Sequence, residues 1–265
     1  MQTETISAKI VGDGGGLQEA AAGGLIPSRL ARAGGDTGFW REAHDAFRRT
    51  IMVPEYPCVG ARSALHSDAY VLSVYGRLGE AQTTAALAQD LYEFTTSDLR
   101  KTNDYATFVA VFETPPVRDE VEFEHVMWQQ LSALNRVDAQ QFGWDASVRS
   151  DPADPQFSFS FGGEALYVIG LHPTSSRLAR RFPWPTMIFN PHEQFERLRE
   201  DGKWKRMQKT IRERDVQLQG STNPMLSDFG ESSEARQYSG RAVEADWQAP
   251  FQAANAPPRK CPFAH

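Results

Sequence analysis

The stretch FSFSFGGEALYVIGL, at residues 157–171, gives the clearest folding signal in the chain. Its first part alternates aromatic and polar side chains with the period of two that a β-strand requires. Gly162 and Gly163 follow, and a second apolar run comes directly after them. Two apolar runs separated by a pair of glycines are typical of a hairpin with a two-residue turn. The stretch therefore predicts an antiparallel pair of strands.

Other apolar runs predict strands and helices on both sides of this hairpin. The strands are YVLSVYG at 70–76, ATFVAVFE at 106–113 and TMIFN at 186–190. Apolar residues at the three- and four-residue spacing of a helix occur in residues 38–51, 82–100, 122–138 and 203–217. Shorter helices are predicted after Pro57 and at PHEQFERLRE, with Asn190 as the cap of the latter.

The order of these elements predicts the fold class. About five strands interleaved with five or six helices indicate an α+β (mixed α/β) fold, with helices packed on a mixed sheet. We expect a single folded domain over residues 37–265. Residues 1–36 hold flexible runs such as GDGGG and few large apolar side chains, so they predict a flexible N-terminal arm. The glycines at 12–16 follow no strand signal, which favours a linker over a phosphate-binding loop.

The composition excludes several classes of protein. The formal net charge of the 265 residues is −6, which argues against nucleic-acid binding and against an anionic membrane surface. No apolar run approaches the roughly 20 residues of a membrane-spanning helix, and the N-terminus lacks a signal-peptide pattern. We therefore expect a cytoplasmic protein. The two cysteines, Cys58 and Cys261, do not make a disulfide scaffold.

A basic cluster surrounds one histidine in the segment GLHPTSSRLARRFPWP. His172 follows the strand ALYVIGL, where an imidazole could face a pocket and bind a metal, or could simply form a hydrogen bond to a carbonyl at the end of the strand. Arg177, Arg180 and Arg181 follow at spacings that share a face on a helix. Such a group would form a clamp for a carboxylate or phosphate, or a solvated basic face.

Three other positions are candidates for chemistry. His192 lies in the first turn of a predicted helix, where the dipole favours neutral imidazole, either as a ligand or as a local cap contact. Cys58 lies near a helix start, which lowers a thiol pKa and favours metal binding, unless the thiol is buried and inert. The irregular loop 220–240 carries Glu231 and Glu234, which could pair with a cationic substrate or simply face solvent.

Long motifs in this chain resemble the YqcI/YcgG family. They include YPCVGARSA, FEHVMWQQL, the run from FSFSFGG to HEQFERLR, and GSTNPMLSDFGESSEARQYSGR. The resemblance extends from Pro54 to the C-terminus. One departure is that Asp246-Trp247 leads to Ala-Pro-Phe, whereas Cys-Pro-Phe occurs only at Cys261, which weakens that cysteine as a haem ligand.

The resemblance implies an activity. Characterised members are haem-dependent enzymes that N-hydroxylate guanidino groups, such as the L-arginine N-hydroxylase of D-cycloserine biosynthesis. By this resemblance the chain would bind haem b, use O2 and an external electron donor, and convert L-arginine to N-omega-hydroxy-L-arginine in antibiotic biosynthesis. A homodimer is compatible with the sequence.

The residues can be matched to those needs. His172 is the first candidate for the iron ligand, followed by His192 and Cys58. The arginine cluster would hold the propionates, Glu231 and Glu234 the guanidinium. The predicted haem walls are Phe182, Trp184 and Phe189. Three rivals remain: a non-catalytic haem carrier or sensor, a non-haem metal oxygenase that uses His172, His192 and a carboxylate such as Glu193, and a protein-interaction module with no cofactor.

Overall fold

The computed structural model describes residues 18–19, 25–26, 37–114 and 116–254. The described strands are β1 (Gln18–Glu19), β2 (Leu25–Ile26), β3 (Tyr70–Arg77), β4 (Thr107–Thr114), β5 (Phe159–Phe161), β6 (Glu164–Leu171) and β7 (Thr186–Pro191). The described helices are α1 (Thr37–Ile51), α2 (Val59–His66), α3 (Ala81–Thr96), α4 (Asp98–Thr102), α5 (Glu120–Asp138), α6 (His192–Glu200), α7 (Trp204–Gln219) and α8 (Ala235–Tyr238). A 3-10 turn covers Leu178–Arg180.

The sheet is mixed, as the order of elements predicted. Among the described residues its strand order is β1-β2-β3-β4-β7-β6-β5. The β3 and β4 strands run parallel, and α3 and α4 supply the crossover that a parallel pair needs. The short β2 strand also pairs parallel with β3, whereas β1 with β2, β4 with β7, β7 with β6 and β6 with β5 are antiparallel. The α+β class is confirmed.

The predicted hairpin forms as its glycines indicate. Phe159 pairs with Leu166, and Phe161 pairs with Glu164. Gly162 and Gly163 have φ angles of +64° and +77°. A two-residue hairpin turn with two positive φ angles is the type whose twist matches the strands, and glycine adopts it without a steric penalty.

Helices cover both faces of the sheet. The alternate side chains Phe108, Ala110 and Phe112 of β4 join a core cluster with α3 and α5. The intervening residues Val109 and Val111 pack on the other face, in the cluster that contains α1. Because β4 is buried on both faces, its sequence is a continuous apolar run rather than an alternating one.

Three local predictions change in the structure. The helix predicted over residues 82–100 breaks at Ser97, which is extended and caps α4 by accepting a hydrogen bond from Arg100 N. Asn190 does not cap α6, because its side chain donates to Tyr167 O and accepts from Thr107. Two short pieces of the predicted arm pair with the sheet through β2 and β3, and the glycine run at 12–16 lies outside the described residues.

One glycine of β6 has no room for a side chain. A Cβ on Gly170 would lie 2.5 Å from Cε1 of Phe123 and 3.0 Å from the carbonyl oxygen of Tyr238. We predict that Gly170→Ala lowers the free energy of unfolding by about 1–3 kcal/mol, the usual cost of overpacking a core. Urea denaturation measures this change.

Gly143→Ala is the matched control for this substitution. A Cβ there meets nothing within 4 Å, and the residue is not among those with positive φ. We expect its unfolding curve to match that of the wild type or to shift slightly towards higher stability. Equal losses in the two variants would contradict the packing described around Gly170.

Candidate functional site

A cavity of about 250 Å³ lies between one face of the sheet and helices α2, α6 and α7. Its walls are mainly apolar, and each neighbouring element contributes to them. Representative wall residues are Phe47, Ala64, Ile169, Ile188, Leu198 and Ile211. A mostly apolar, concave site with a few polar groups is the usual form of a small-molecule binding site.

Five of the residues selected from the sequence reach this cavity. They are Cys58, Arg177, Arg180, His192 and Glu234. The other six are absent from its lining: His172, Arg181, Phe182, Trp184, Phe189 and Glu231. The cavity therefore takes in only part of the segment from His172 to His192, together with residues from other parts of the chain.

His172 is a core residue in this structure. Its ring is completely buried and stacks on Phe123 with a centroid distance of 4.3 Å. Nδ1 lies 3.0 Å from Oγ1 of Thr174, and Nε2 has no partner among the described residues. Burial lowers the His172 pKa to about 4, so the ring is neutral. Because His172 does not line the cavity, it is not placed to bind a ligand there.

The predicted arginine clamp is not formed either. The three arginines do not share a helical face, because only a three-residue 3-10 turn forms in this segment. Arg180 donates to the carbonyl oxygens of Gly170 and Gln237 at 3.1 and 3.3 Å. Arg181 donates through Nε to Ser175 O at 2.6 Å. The guanidinium groups of both residues are therefore occupied by backbone acceptors of the chain.

Arg177 forms an ion pair with α7. Its Nη2 lies 2.6 Å from Oδ2 of Asp215, and the side chains are 11% and 7% exposed. The same nitrogen donates to Ser221 O at 3.0 Å, and Asp215 also accepts from Asn223 N at 2.8 Å. Arg177 therefore fastens α7, a wall of the cavity, to the segment that follows β6.

The three predicted aromatic walls are distributed over two faces of the sheet. Phe182 and Trp184 pack together at 5.8 Å, and Phe182 also meets Phe47 in the cluster on the α1 side. Phe189 belongs to the opposite cluster, with Phe108 at 6.4 Å. They pack in the core clusters and do not line this cavity.

Cys58 stands at the N-terminus of α2 and opens onto the cavity. Its Sγ accepts a hydrogen bond from Ala61 N at 3.4 Å. Burial nevertheless raises the Cys58 pKa, and the helix N–H groups and Arg180 offset this only in part. The predicted lowering of the pKa is therefore wrong, because loss of hydration outweighs the helix terminus.

Glu234 is a buried carboxyl group in the cavity wall. Its Oε1 accepts a hydrogen bond from the Tyr238 hydroxyl at 2.6 Å. Its Oε2 lies 3.9 Å from Nε2 of His192. Burial raises the Glu234 pKa to about 8, and the Tyr238 hydrogen bond lowers it less. The acid therefore keeps its proton at neutral pH, because loss of hydration outweighs the Tyr238 hydrogen bond and the more distant charge of Arg199.

Glu231 has a different environment from Glu234. It is exposed, and its carboxylate accepts a hydrogen bond from Asp228 N at 3.2 Å. The two acidic residues of the predicted substrate pair are thus separated, one in the cavity wall and one facing solvent.

His192 meets Glu234 from the start of α6. Phe229 covers its ring at a centroid distance of 4.4 Å. The His192 pKa is lowered, as predicted, although burial is the largest cause rather than the helix dipole. His192 and Glu234 are thus both neutral near pH 7, which is the arrangement of lowest cost in an apolar cavity.

Several lining residues were missed in the sequence, among them the polar residues Tyr167, Gln194 and Arg212. Tyr167 and Ile169 alternate along β6 with the period that turns both towards the cavity, a signal that could have selected Tyr167. Gln194 is 5% exposed, and its Oε1 has no partner among the described residues. Arg212 is exposed on α7 and has no hydrogen-bond or ionic partner in the described part of the chain. No local pattern distinguished the last two.

The Tyr167 hydroxyl lies within electrostatic reach of both candidate groups. Burial is the main cause that raises its pKa, Arg180 lowers it, and the charges of Glu234 and Cys58 raise it further. The hydroxyl itself donates to Oε1 of Gln237 at 2.8 Å. The thiol and the buried acid therefore both act electrostatically on the Tyr167 hydroxyl.

Fold and site together define an α+β protein with an apolar ligand cavity that carries a thiol and a buried acid. The chain belongs to the YqcI/YcgG family, whose family model matches residues 47–252 and so includes every residue that lines the cavity. It is 30% identical over 169 residues to "Uncharacterized protein YqcI" of Bacillus subtilis (strain 168). That alignment covers 60% of this chain and 64% of the relative, less than two thirds of its length. No solved structure matches the chain.

No helix in the described ranges is long and apolar enough to cross a membrane.

The Arg177–Asp215 pair allows a stability prediction. Arg177→Met leaves Asp215 buried without a counter-charge, which typically costs about 3–5 kcal/mol. We expect lower stability and faster hydrogen exchange in α7, measured by denaturation and by mass spectrometry. The double variant Arg177→Met/Asp215→Leu should recover part of the loss.

Arg118→Met is the control, because Arg118 pairs with Glu122 on the exposed start of α5. We expect no measurable change in its unfolding. Unchanged exchange of α7 in Arg177→Met would show that this pair does not hold the helix.

The state of Glu234 predicts a pH dependence of stability. Its folded pKa of about 8 lies above its ordinary value of 4.5, so its stabilising contribution is complete at low pH. That contribution is lost as the pH rises from the lower value through the higher one. Glu234→Gln should therefore gain stability relative to the wild type as the pH rises, as measured by urea unfolding in a series of buffers. A difference that is constant with pH would contradict the buried neutral acid.

Proposed function

We propose that this protein is a haem-dependent enzyme that N-hydroxylates a guanidino group, with L-arginine as the first candidate substrate. The observation that carries the proposal is the cavity: one apolar space exposes a thiol and a buried carboxyl without a cationic partner. The family resemblance supplies the reaction class, and the cavity supplies residues suited to both a cofactor and a cation.

The donor set fits haem. Cys58 offers a soft sulfur ligand on an apolar wall, and thiolate is an established axial ligand of haem iron. Although burial raises the pKa of the free thiol, coordination to a metal removes the proton outright. The Ala61 N–H already points at the sulfur and would stabilise its charge. We assign the iron to Cys58 rather than to His192, whose Nε2 faces Glu234 at 3.9 Å, or to His172, which lies outside the cavity lining.

A residue that was not selected from the sequence would bind the haem propionates. Arg212 is exposed at the cavity and has no partner among the described residues, so its guanidinium is available for a propionate. The volume of about 250 Å³ lies below the roughly 300–1,000 Å³ typical of ligand sites. A ligand as large as haem therefore requires a wall to move outward.

The α7 wall is suited to such a movement. Asp215 is the buried residue of this helix, and most of its other side chains are partly or fully exposed. Gly202 precedes the helix and Gly220 follows it, with φ angles of +67° and +80°. Apart from the Arg177–Asp215 pair, this helix buries little surface that would oppose an outward displacement.

The substrate guanidinium would pair with Glu234. A bidentate carboxylate is the natural partner of a guanidinium fork, and the unsatisfied Oε1 of Gln194 offers a further acceptor. When bound, haem would supply the activation of O2, with electrons from an external donor. The chain would hold the guanidino group in place and exclude water from it.

The rival functions have weaker support. The described residues contain no group of three or more His, Cys, Asp and Glu side chains able to hold a metal ion. Glu193, named for the non-haem site, pairs instead with Arg100 and Arg197. A haem carrier would need no buried carboxyl, so the response to L-arginine separates carrier from enzyme.

An absorption spectrum of the full-length chain after haem reconstitution tests the proposal. We predict a Soret band that shifts when L-arginine is added. In the reduced CO complex, the wild type should give the red-shifted band of thiolate ligation, and Cys58→Ser should lose it. His172→Ala should keep the wild-type spectrum, because that side chain lies outside the cavity. A folded chain without a Soret band would refute the haem assignment.

Glu234 and Glu231 provide a test variant and a matched control for substrate binding. We predict that Glu234→Gln weakens L-arginine binding by at least about tenfold, because it removes a buried charge partner. Glu231→Gln should leave the affinity unchanged, since the structure places this residue in solvent. Titration of the Soret shift measures both, and equal effects would remove Glu234 from the substrate site.

A further inference from the structure

Glu234 is held in a way that leaves its charge uncompensated. It is 5% exposed and lines the cavity. Its nearest ionisable neighbours, Tyr238 at 2.6 Å and His192 at 3.9 Å, are neutral side chains at physiological pH. In the described part of the chain, no lysine or arginine lies within ion-pair distance of it. A buried carboxyl group without a cation is stable as the neutral acid.

We infer that a guanidinium ligand and a proton compete for Glu234, so that each ligand bound in the cavity expels one proton. The inference rests on the proposed function, from which it takes the class of ligand. It adds the proton exchange that accompanies the binding of that ligand. The species balance as follows: the neutral acid and the guanidinium cation give a carboxylate–guanidinium pair and one proton released to solvent. The guanidinium keeps its own proton, because its pKa is above about 12.

Charge explains why the exchange is favourable. An ionised Glu234 alone would be a buried charge, and a guanidinium alone would be another. Binding brings the two together, so Glu234 and its ligand carry no net charge as a pair, just as the neutral acid carries none before the exchange. The raised Glu234 pKa supports this account, because it places the proton on the acid in the empty cavity.

The titratable groups around Glu234 do not change their protonation state near pH 7, so Glu234 is the group that titrates. Tyr238 faces it from α8, and burial holds the Tyr238 pKa well above its usual value. His192 and Arg199 face it from α6, and the His192 pKa is lowered, so that ring is already neutral near pH 7. Glu196 and Asp145 act on His192 only as smaller opposing charges. Tyr167 on β6 also has a raised pKa.

Proton-linked calorimetry tests the inference. L-arginine and guanidinium chloride are titrated into the full-length chain in buffers of different ionisation enthalpy. We expect release of about one proton per ligand near pH 6–7, falling towards zero above about pH 9. Below the Glu234 pKa, the affinity should rise about tenfold for each unit of pH, and it should level off above that pKa.

Two variants sharpen the result. Glu234→Gln should bind more weakly, without proton release and without this pH dependence. Asp138→Asn is the matched control, because Asp138 is a buried acid whose pKa is raised to about 6, yet it does not line the cavity. That variant should retain the proton release of the wild type.

Infrared difference spectroscopy of the wild type keeps the inference testable even if a variant does not fold. Guanidinium should remove a protonated-carboxyl band from the spectrum. Binding without proton release, or with the carboxyl band intact, would overturn the exchange and leave a guanidino substrate possible. A folded chain that binds neither probe at any pH would also overturn it, while the haem spectrum decides the cofactor separately.

Discussion

The hydroxyl group of Tyr238 connects the sheet to the cavity. It accepts a hydrogen bond from Phe159 N at 3.0 Å, lies 3.5 Å from Leu166 O, and donates to Glu234 at 2.6 Å. Its ring stacks on Trp128 at 5.6 Å, which fixes it against α5. The position of the buried acid therefore depends on the β5–β6 hairpin, and a shift of the hairpin would move Glu234 with it.

The pairing of charges also decides what the rest of the cavity can bind. Arginines that could have bound an external anion are used within the fold: Arg180 satisfies carbonyl oxygens, and Arg177 anchors α7 through Asp215. Arg212 remains without a described partner, and Glu234 remains without a cation. A cavity that holds an unpaired acid and an accessible arginine is suited to a ligand, or ligands, that carry the complementary charges.

The fold could be predicted from the sequence wherever the signal for an element lies within a few neighbouring residues. The two glycines of the hairpin and the continuous apolar run of β4 each define an element within a few residues. Ser97 was missed because its effect is a change of backbone direction inside a helical pattern, not a change of apolar spacing. Local chemistry also selected Cys58, His192 and Glu234, which all reach the cavity.

The sequence did not predict in the same way which of the selected residues lie together in the cavity. His172 and Arg181 are close to Arg180 in sequence, but the chain turns between them and sends their side chains to different places. The sign of the Cys58 pKa shift was wrong because it depends on burial, which comes from residues far away in the sequence. Tertiary packing, not spacing, decides both.

The most direct test of the account is a crystal structure of the full-length chain with haem and L-arginine bound. The account predicts haem in the cavity between α2, α6 and α7, with iron bound to Cys58 Sγ and the arginine guanidinium paired with Glu234. Haem bound to His172, or arginine bound away from Glu234, would contradict it.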